Sequence, residues 1–205
     1  MRTRIGVWGT AVVLAMLLAA CGDEEAPDTT APQGFTVVRD ADDGFAIAVP
    51  AVWTQVPMGV KAEEFDRNAN RLRGENPKLA SALVQARVVS GGGGKMLAID
   101  PEGRASVNLT VDKAEEKNLA EIVQKSKARL GEFGATNLTE TPVTLDGEPA
   151  TKLSFRLPLE TDNGTVTVAE TQYYQLRGGK KAYILTVIDT DDALATLIAD
   201  SLRIR

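Results

Sequence analysis

Apolar residues fall into three kinds of run along this chain. The first is unbroken: after Arg2 and Arg4, residues 5–20 carry no charge and end in Leu18-Ala19-Ala20-Cys21. The second kind is short and rich in β-branched and aromatic residues, at 35–39, 45–49, 96–99, 105–111, 141–145, 150–157, 165–176 and 181–189, and predicts strands. Turn-forming stretches separate them: 40–44 (DADDG), 100–103 (DPEG), Asp146-Gly147, 162–164 (DNG) and 177–179 (RGG). The first two strands should form a hairpin. The third kind has helical spacing. Phe65, Leu72, Leu79, Leu83 and Val84 predict two helices within 60–89, broken near Gly74, with Pro77 in the first turn of the second. The glycines of 90–94 end that region, since each costs up to ~1 kcal/mol in a helix. Leu119, Ile122, Val123, Leu130 and Phe133 predict an amphipathic helix over 113–133 that covers one face of a sheet. A last helix, capped by Asp191, should bury Leu194, Leu197, Ile198 and Leu202. Strands joined by short turns and interrupted by helices give an α+β fold, an antiparallel sheet with helices packed on it.

The uncharged opening run is too short to be a lasting anchor. Its 16 residues, at about 1.5 Å each, span about 24 Å, where a transmembrane helix needs ~20 residues. A charged start, an apolar stretch and small residues before a processing point mark 1–20 as a signal peptide. Leu18-Ala19-Ala20-Cys21 resembles the lipobox of bacterial lipoproteins. The resemblance implies cleavage between Ala20 and Cys21 and a diacylglycerol thioether on Cys21. The residue types suit that chemistry, because two alanines leave room for a peptidase and a thiol is the nucleophile best suited to forming a thioether. A buried cysteine after an ordinary signal peptide, or a short membrane helix, is the competing account. Two acyl chains anchor a protein stably without a transmembrane helix. The mature protein is then expected on the outer face of the cytoplasmic membrane.

Residues 21–34 are acidic, rich in Pro and Thr and without apolar periodicity, so they read as a lipidated flexible tether with a reach of roughly 40 Å. Residues 35–205 form the domain. With 43% hydrophobic and 25% charged residues the chain has an ordinary globular composition. Cys21 is its only cysteine, so no disulfide supports the core. Loss of Arg2 and Arg4 with the signal takes the formal charge from -5 to -7, which argues against nucleic acid and against electrostatic docking on anionic lipid.

Four segments, Gly44-Phe-Ala-Ile-Ala-Val-Pro-Ala-Val-Trp53, Asp146-Gly-Glu-Pro-Ala150, Ala182-Tyr-Ile-Leu-Thr186 and Ser201-Leu-Arg-Ile204, occur in an order that resembles the actinobacterial Lpq-type lipoproteins of the PsbP-like superfamily. The resemblance spans most of 35–205. It implies an α/β/α sandwich with a central antiparallel sheet, the hallmark tryptophan at Trp53 and the late strand at 182–189. Ala51-Val52 depart from the pattern where a glycine often precedes the tryptophan, and the helical region before Met96 is longer than usual.

The absence of histidine removes Ser-His-Asp and Cys-His catalysis and histidine-dependent metal sites. Carboxylates remain. Glu63-Glu64-Asp66 and Asp189-Thr-Asp191-Asp192 could supply oxygen ligands or an acid–base pair, but the first suits a solvated helix face and the second a turn with a helix cap. Gly91-Gly-Gly-Gly-Lys95 lacks the earlier glycine and the following Ser or Thr of a phosphate loop and reads as a linker. Trp53, Tyr173, Tyr174 and Tyr183 line either a ligand groove or the core, and Phe45 and Trp53 favour the core. Asn108, Asn137 and Asn163 match a glycosylation acceptor that a bacterial lipoprotein has no reason to use.

The expectation is a membrane-anchored cell-envelope lipoprotein, non-catalytic and without metal or cofactor, that binds a protein partner or an apolar envelope ligand. A carboxylate-dependent enzyme acting on an envelope polymer is the alternative, and a purely structural surface protein the third. Cys21→Ser should leave unprocessed precursor or release the protein from the membrane, as read by fractionation and intact mass. A Cys21→Ser protein that still matured and stayed membrane-bound would contradict the lipid anchor.

Overall fold

The computed structural model describes residues 26–58, 62–75, 80, 94–115, 118–161 and 164–205. The signal segment, Ala20 and Cys21, the second helix expected after Pro77, the glycines at 91–93 and the turn at 162–163 lie outside these residues.

Tight turns in the second half of the chain build a meander. β6 (Thr136–Leu145), β7 (Glu148–Thr161), β8 (Gly164–Arg177) and β9 (Lys181–Ile188) pair in sequence, all antiparallel. Asp146 and Gly147 both have positive φ (49° and 75°), the backbone that matches a two-residue hairpin turn to the twist of its strands. β3 (Thr54–Pro57), β4 (Gly94–Ile99) and β5 (Ser106–Lys113) form a second antiparallel group. One pairing between strands distant in sequence joins the groups: β5 lies against β9 with Val107 opposite Val187, Leu109 opposite Leu185 and Val111 opposite Tyr183. The result is a seven-stranded sheet in the order β3-β4-β5-β9-β8-β7-β6.

Alternation along these strands gives each face its own core. Met96, Ala98, Val107, Leu109, Val111, Tyr183, Leu185 and Val187 face one way. They pack against Phe45, Ile47 and Val49 of β2 (Phe45–Pro50) and against Ala195, Ile198 and Ala199 of α3 (Asp192–Asp200). On the other face, α1 (Ala62–Glu75) sets Phe65, Ala69 and Leu72 on Leu97 and Ile99, and α2 (Leu119–Glu132) sets Ile122, Val123 and Leu130 on Leu153, Phe155 and Leu157. The fold is therefore the expected α+β sandwich about a central antiparallel sheet. Its second outer layer is mixed: beside α3 lies a small sheet in which β2 sits between β1 (Phe35–Asp40) and β10 (Arg203–Ile204). The expected hairpin forms but stays out of the large sheet. Every residue of β2, FAIAVP, is buried, as expected for a strand with no polar face to offer water.

Four expectations are corrected. The helix expected from 113 begins at Leu119, because β5 runs on to Lys113, paired with Lys181, and Asn118 caps the helix by accepting from Glu121 N at 2.9 Å. Phe133, taken as part of its apolar stripe, lies beyond its end and is 57% exposed. Leu197 lies on the outer side of α3, 42% exposed, while Ala195, Ile198 and Ala199 face the core. The free tether expected over 21–34 is held on the domain from Asp28 onward. Asp28 pairs with Arg39 at 3.1 Å, the buried Thr29 donates its hydroxyl to Ser201 O at 2.8 Å, and Gly34 O accepts from Ala51 N. The chain from Cys21 to Asp28 can then reach only about 20 Å.

The C-terminus is locked by side chains standing in for strand. β10 covers only Phe45 and Ala46 of β2, so the next outward-facing N–H, that of Ala48, is satisfied by Ser201 Oγ at 2.9 Å, and that hydroxyl donates to Ile198 O at 2.6 Å. Asp146 Oδ2 accepts from both Arg177 Nη2 (2.5 Å) and Ile204 N (2.9 Å), tying β10 to the β6–β7 turn. Ser201→Ala strands a fully buried N–H and should cost about 2 kcal/mol, lowering Tm by roughly 4–8 °C in a thermal melt. An unchanged Tm would mean that β2 finds another acceptor.

Candidate ligand pocket

Register fixes a polar strip between the two helix-covered ends of the sheet. Residues directly opposite one another share a face, so one row runs Leu97, Asn108, Thr186, Gln172, Leu153 across β4, β5, β9, β8 and β7. The three polar members are buried, with leucines at both ends. The adjoining row is Thr110, Ile184 and Tyr174. On β8, Glu170, Gln172 and Tyr174 alternate onto this face. Above the strip is a cavity of about 300 Å³. Ser126, Arg129 and Leu130 of α2, with Phe133 just past its end, form one wall, and Leu157, Pro158 and Leu159 of β7 another. The Arg129 guanidinium lies 5.7 Å from the centre of the Phe133 ring at the end of α2, which gives the exposed aromatic a place in the pocket wall.

The floor is a directed hydrogen-bond chain. Tyr174 donates its hydroxyl to Gln172 Oε1, and Gln172 Nε2 donates to Glu170 Oε1 at 2.6 Å. Glu170 is 4% exposed, and burial pushes its carboxyl up to about 7, against the opposing pull of the Gln172 hydrogen bond. Burial likewise raises Tyr174 to about 12, opposed by a hydrogen bond with Ser126 and assisted by the Glu170 charge. Tyr174 is therefore a neutral donor at any physiological pH, while Glu170 changes between acid and carboxylate near neutrality.

The carboxylates singled out from sequence lie elsewhere. Glu63, Glu64 and Asp66 are exposed on α1. Asp191 accepts from Leu194 N at 2.7 Å as the cap of α3, Asp192 pairs with Lys152, and the exposed Asp189 follows β9. Among the described residues no three acidic or thiol groups gather as a metal site would require. Asp112 and Glu170 do line one pocket, but they do not form an acid pair. Asp112 is level with Leu176 through Ala182, so Glu170 is offset by six residues of β8, about 20 Å, and by two strand spacings. Paired glycosidase carboxyls stand within ~10 Å. Of the four aromatics considered, Tyr174 alone lines the pocket; Trp53, Tyr173 and Tyr183 belong to the core on the opposite face, as do Phe45 and its neighbours. Asn108, noticed only as a glycosylation acceptor, is a buried floor residue. Thr110, Glu170, Gln172 and Thr186 carried no signal beyond alternation, because a polar strand face ordinarily means water.

The raised Glu170 carboxyl makes stability depend on pH. Its folded pKa exceeds its unfolded one, so between about 4.5 and about 7 the native state holds the proton more tightly; the stabilisation is complete below that window and lost as pH rises through it. Glu170→Gln keeps the donor chain's shape without the charge. Urea unfolding at pH 5 and pH 8 should show the wild type losing about 3 kcal/mol more than the variant on going to the higher pH. Equal losses would show that Glu170 ionises freely.

No protein-family model matches the chain, and no curated protein matches it. Among solved structures it is similar to LpqN of Mycobacterium tuberculosis, described as involved in cell envelope biogenesis, at 15% identity over 78% of this chain and 82% of that one, with a TM-score of 0.46. A protein of Bacteroides thetaiotaomicron is similar at 10% identity over 78% of this chain and 45% of that one, with a TM-score of 0.43.

Proposed function

We propose that this protein is an exported, lipid-anchored binding protein of the bacterial cell envelope that carries an apolar envelope ligand between α2 and the large sheet. The pocket is the observation on which the proposal rests. Its walls are mostly apolar, with Ser126 and Arg129 among them, its floor presents convergent polar groups, and its volume is at the lower end of the ~300–1,000 Å³ that small-molecule sites occupy. A cleft of this volume suits a small ligand better than a protein partner, which would use a broader exposed surface. The lipobox-like Leu18-Ala19-Ala20-Cys21 supports export, lipidation of Cys21 and a place on the outer face of the cytoplasmic membrane. The segment held from Asp28 would leave about 20 Å of chain between the domain's point of attachment and that anchor, which would keep the domain near the bilayer. Kinship with the Lpq-type lipoproteins of the PsbP-like superfamily is part of the same proposal, supported by the order of the four sequence segments that resemble them. The domain is proposed to act without catalysis, because the two carboxyls of its pocket stand too far apart to work as a pair.

Ser126 lies on α2 at the pocket wall, and tryptophan there would fill the space from a helix surface. Native mass spectrometry of the lipid-free domain, released from its host envelope, should find a bound apolar species in the wild type that Ser126→Trp, folded by circular dichroism, has lost. Bare protein in both preparations, or the same adduct in both, would overturn the proposal.

A further inference from the structure

The pocket floor contains a carboxyl whose surroundings leave it without a counter-charge. Glu170 is buried at 4% exposure, and among the described residues its hydrogen-bond partner is the neutral amide of Gln172. Among the described residues no cation forms an ion pair with it. Tyr174 is uncharged, Asp112 is acidic and about 20 Å away along the sheet, and the Arg129 guanidinium is placed over the Phe133 ring at the end of α2. A buried carboxylate needs either a proton or a cation. The same cavity offers apolar wall at Leu130, Leu157, Pro158 and Leu159.

We infer that the pocket takes an amphiphilic cation, a ligand whose ammonium group pairs with Glu170 while its apolar part lies along α2 and β7. The inference rests on the proposed role of this pocket as a ligand site and specifies the ligand's head group. Pairing is an exchange of one proton: the neutral Glu170 acid gives its hydrogen to solvent as the ammonium arrives, and carboxylate and ammonium remain together. Below the carboxyl's titration the cation must displace that proton and binds weakly; above it the carboxylate is already formed and binding levels off. The Tyr174–Gln172 donor chain would hold the carboxylate oriented in both states.

Octylamine, 1-octanol and octanoate share one apolar tail and differ in head group, and the amine stays cationic over the range of interest, as a lysine side chain does. Calorimetric titration of the lipid-free domain with octylamine should show affinity rising roughly 30-fold from pH 5.5 to pH 8, with about one proton released per amine bound at the lower pH. Octylamine should also bind more tightly than octanol at pH 8. Glu170→Gln should abolish both the pH dependence and the preference for the amine while still binding octanol. If octanol and octylamine bind equally at pH 8, or Glu170→Gln keeps the amine preference, the head-group inference is wrong. Loss of both in Ser126→Trp would then show that the pocket itself remains the site. Binding of none of the three probes by the wild type would overturn the inference and the pocket together.

Discussion

The pairing of β5 with β9 is the constraint on which the rest of the molecule depends. It joins two groups of locally connected strands into one sheet, and because side chains alternate with a period of two, a slip of one residue would turn Leu109 and Leu185 out of one core and drive Thr110 and Thr186 into it. The observed register puts Val107, Leu109, Val111, Tyr183, Leu185 and Val187 of these strands against β2 and α3. It thereby commits the alternate positions to the opposite face.

That commitment creates the pocket. Two helices cover the far ends of the face, where Leu97 and Ile99 or Leu153, Phe155 and Leu157 supply apolar partners. The middle is left to Asn108, Thr110, Thr186, Gln172 and Glu170, which can be buried only if their polar atoms are satisfied. The Tyr174–Gln172–Glu170 chain meets part of that demand within the protein. A polar strip buried in a sheet covered on both faces costs stability that a uniformly apolar interior would not.

Local chemistry decides the ends of elements and tertiary contact decides their surroundings. Asp191 and the Asp146-Gly147 turn behave as their types dictate, since cap and turn energies are set within a few residues. The start of α2 is not legible in sequence because 113–118 has no apolar signal of its own, and the pairing of Lys113 with Lys181 holds Lys113 in β5. Thr29 shows the same limit: nothing near it in sequence marks it as buried, and its acceptor, Ser201 O, is at the other end of the chain.

The alternating strands and their turns, the amphipathic stripe of α2, the cap of α3 and the core places of Phe45 and Trp53 are legible in residue type and short-range spacing, as is the lack of any histidine. Tertiary structure alone decided that the first hairpin joins β10 in a separate small sheet, that the segment from Asp28 is attached, and that Glu170 is a buried acid while the acidic clusters conspicuous in sequence are solvated. The physical reason is that burial belongs to a face. A polar residue at an alternating position looks the same in sequence whether water or a helix lies above it, and only the placement of α2 over β7 and β8 turns Glu170, Gln172 and Thr186 from an apparent surface into the floor of a pocket.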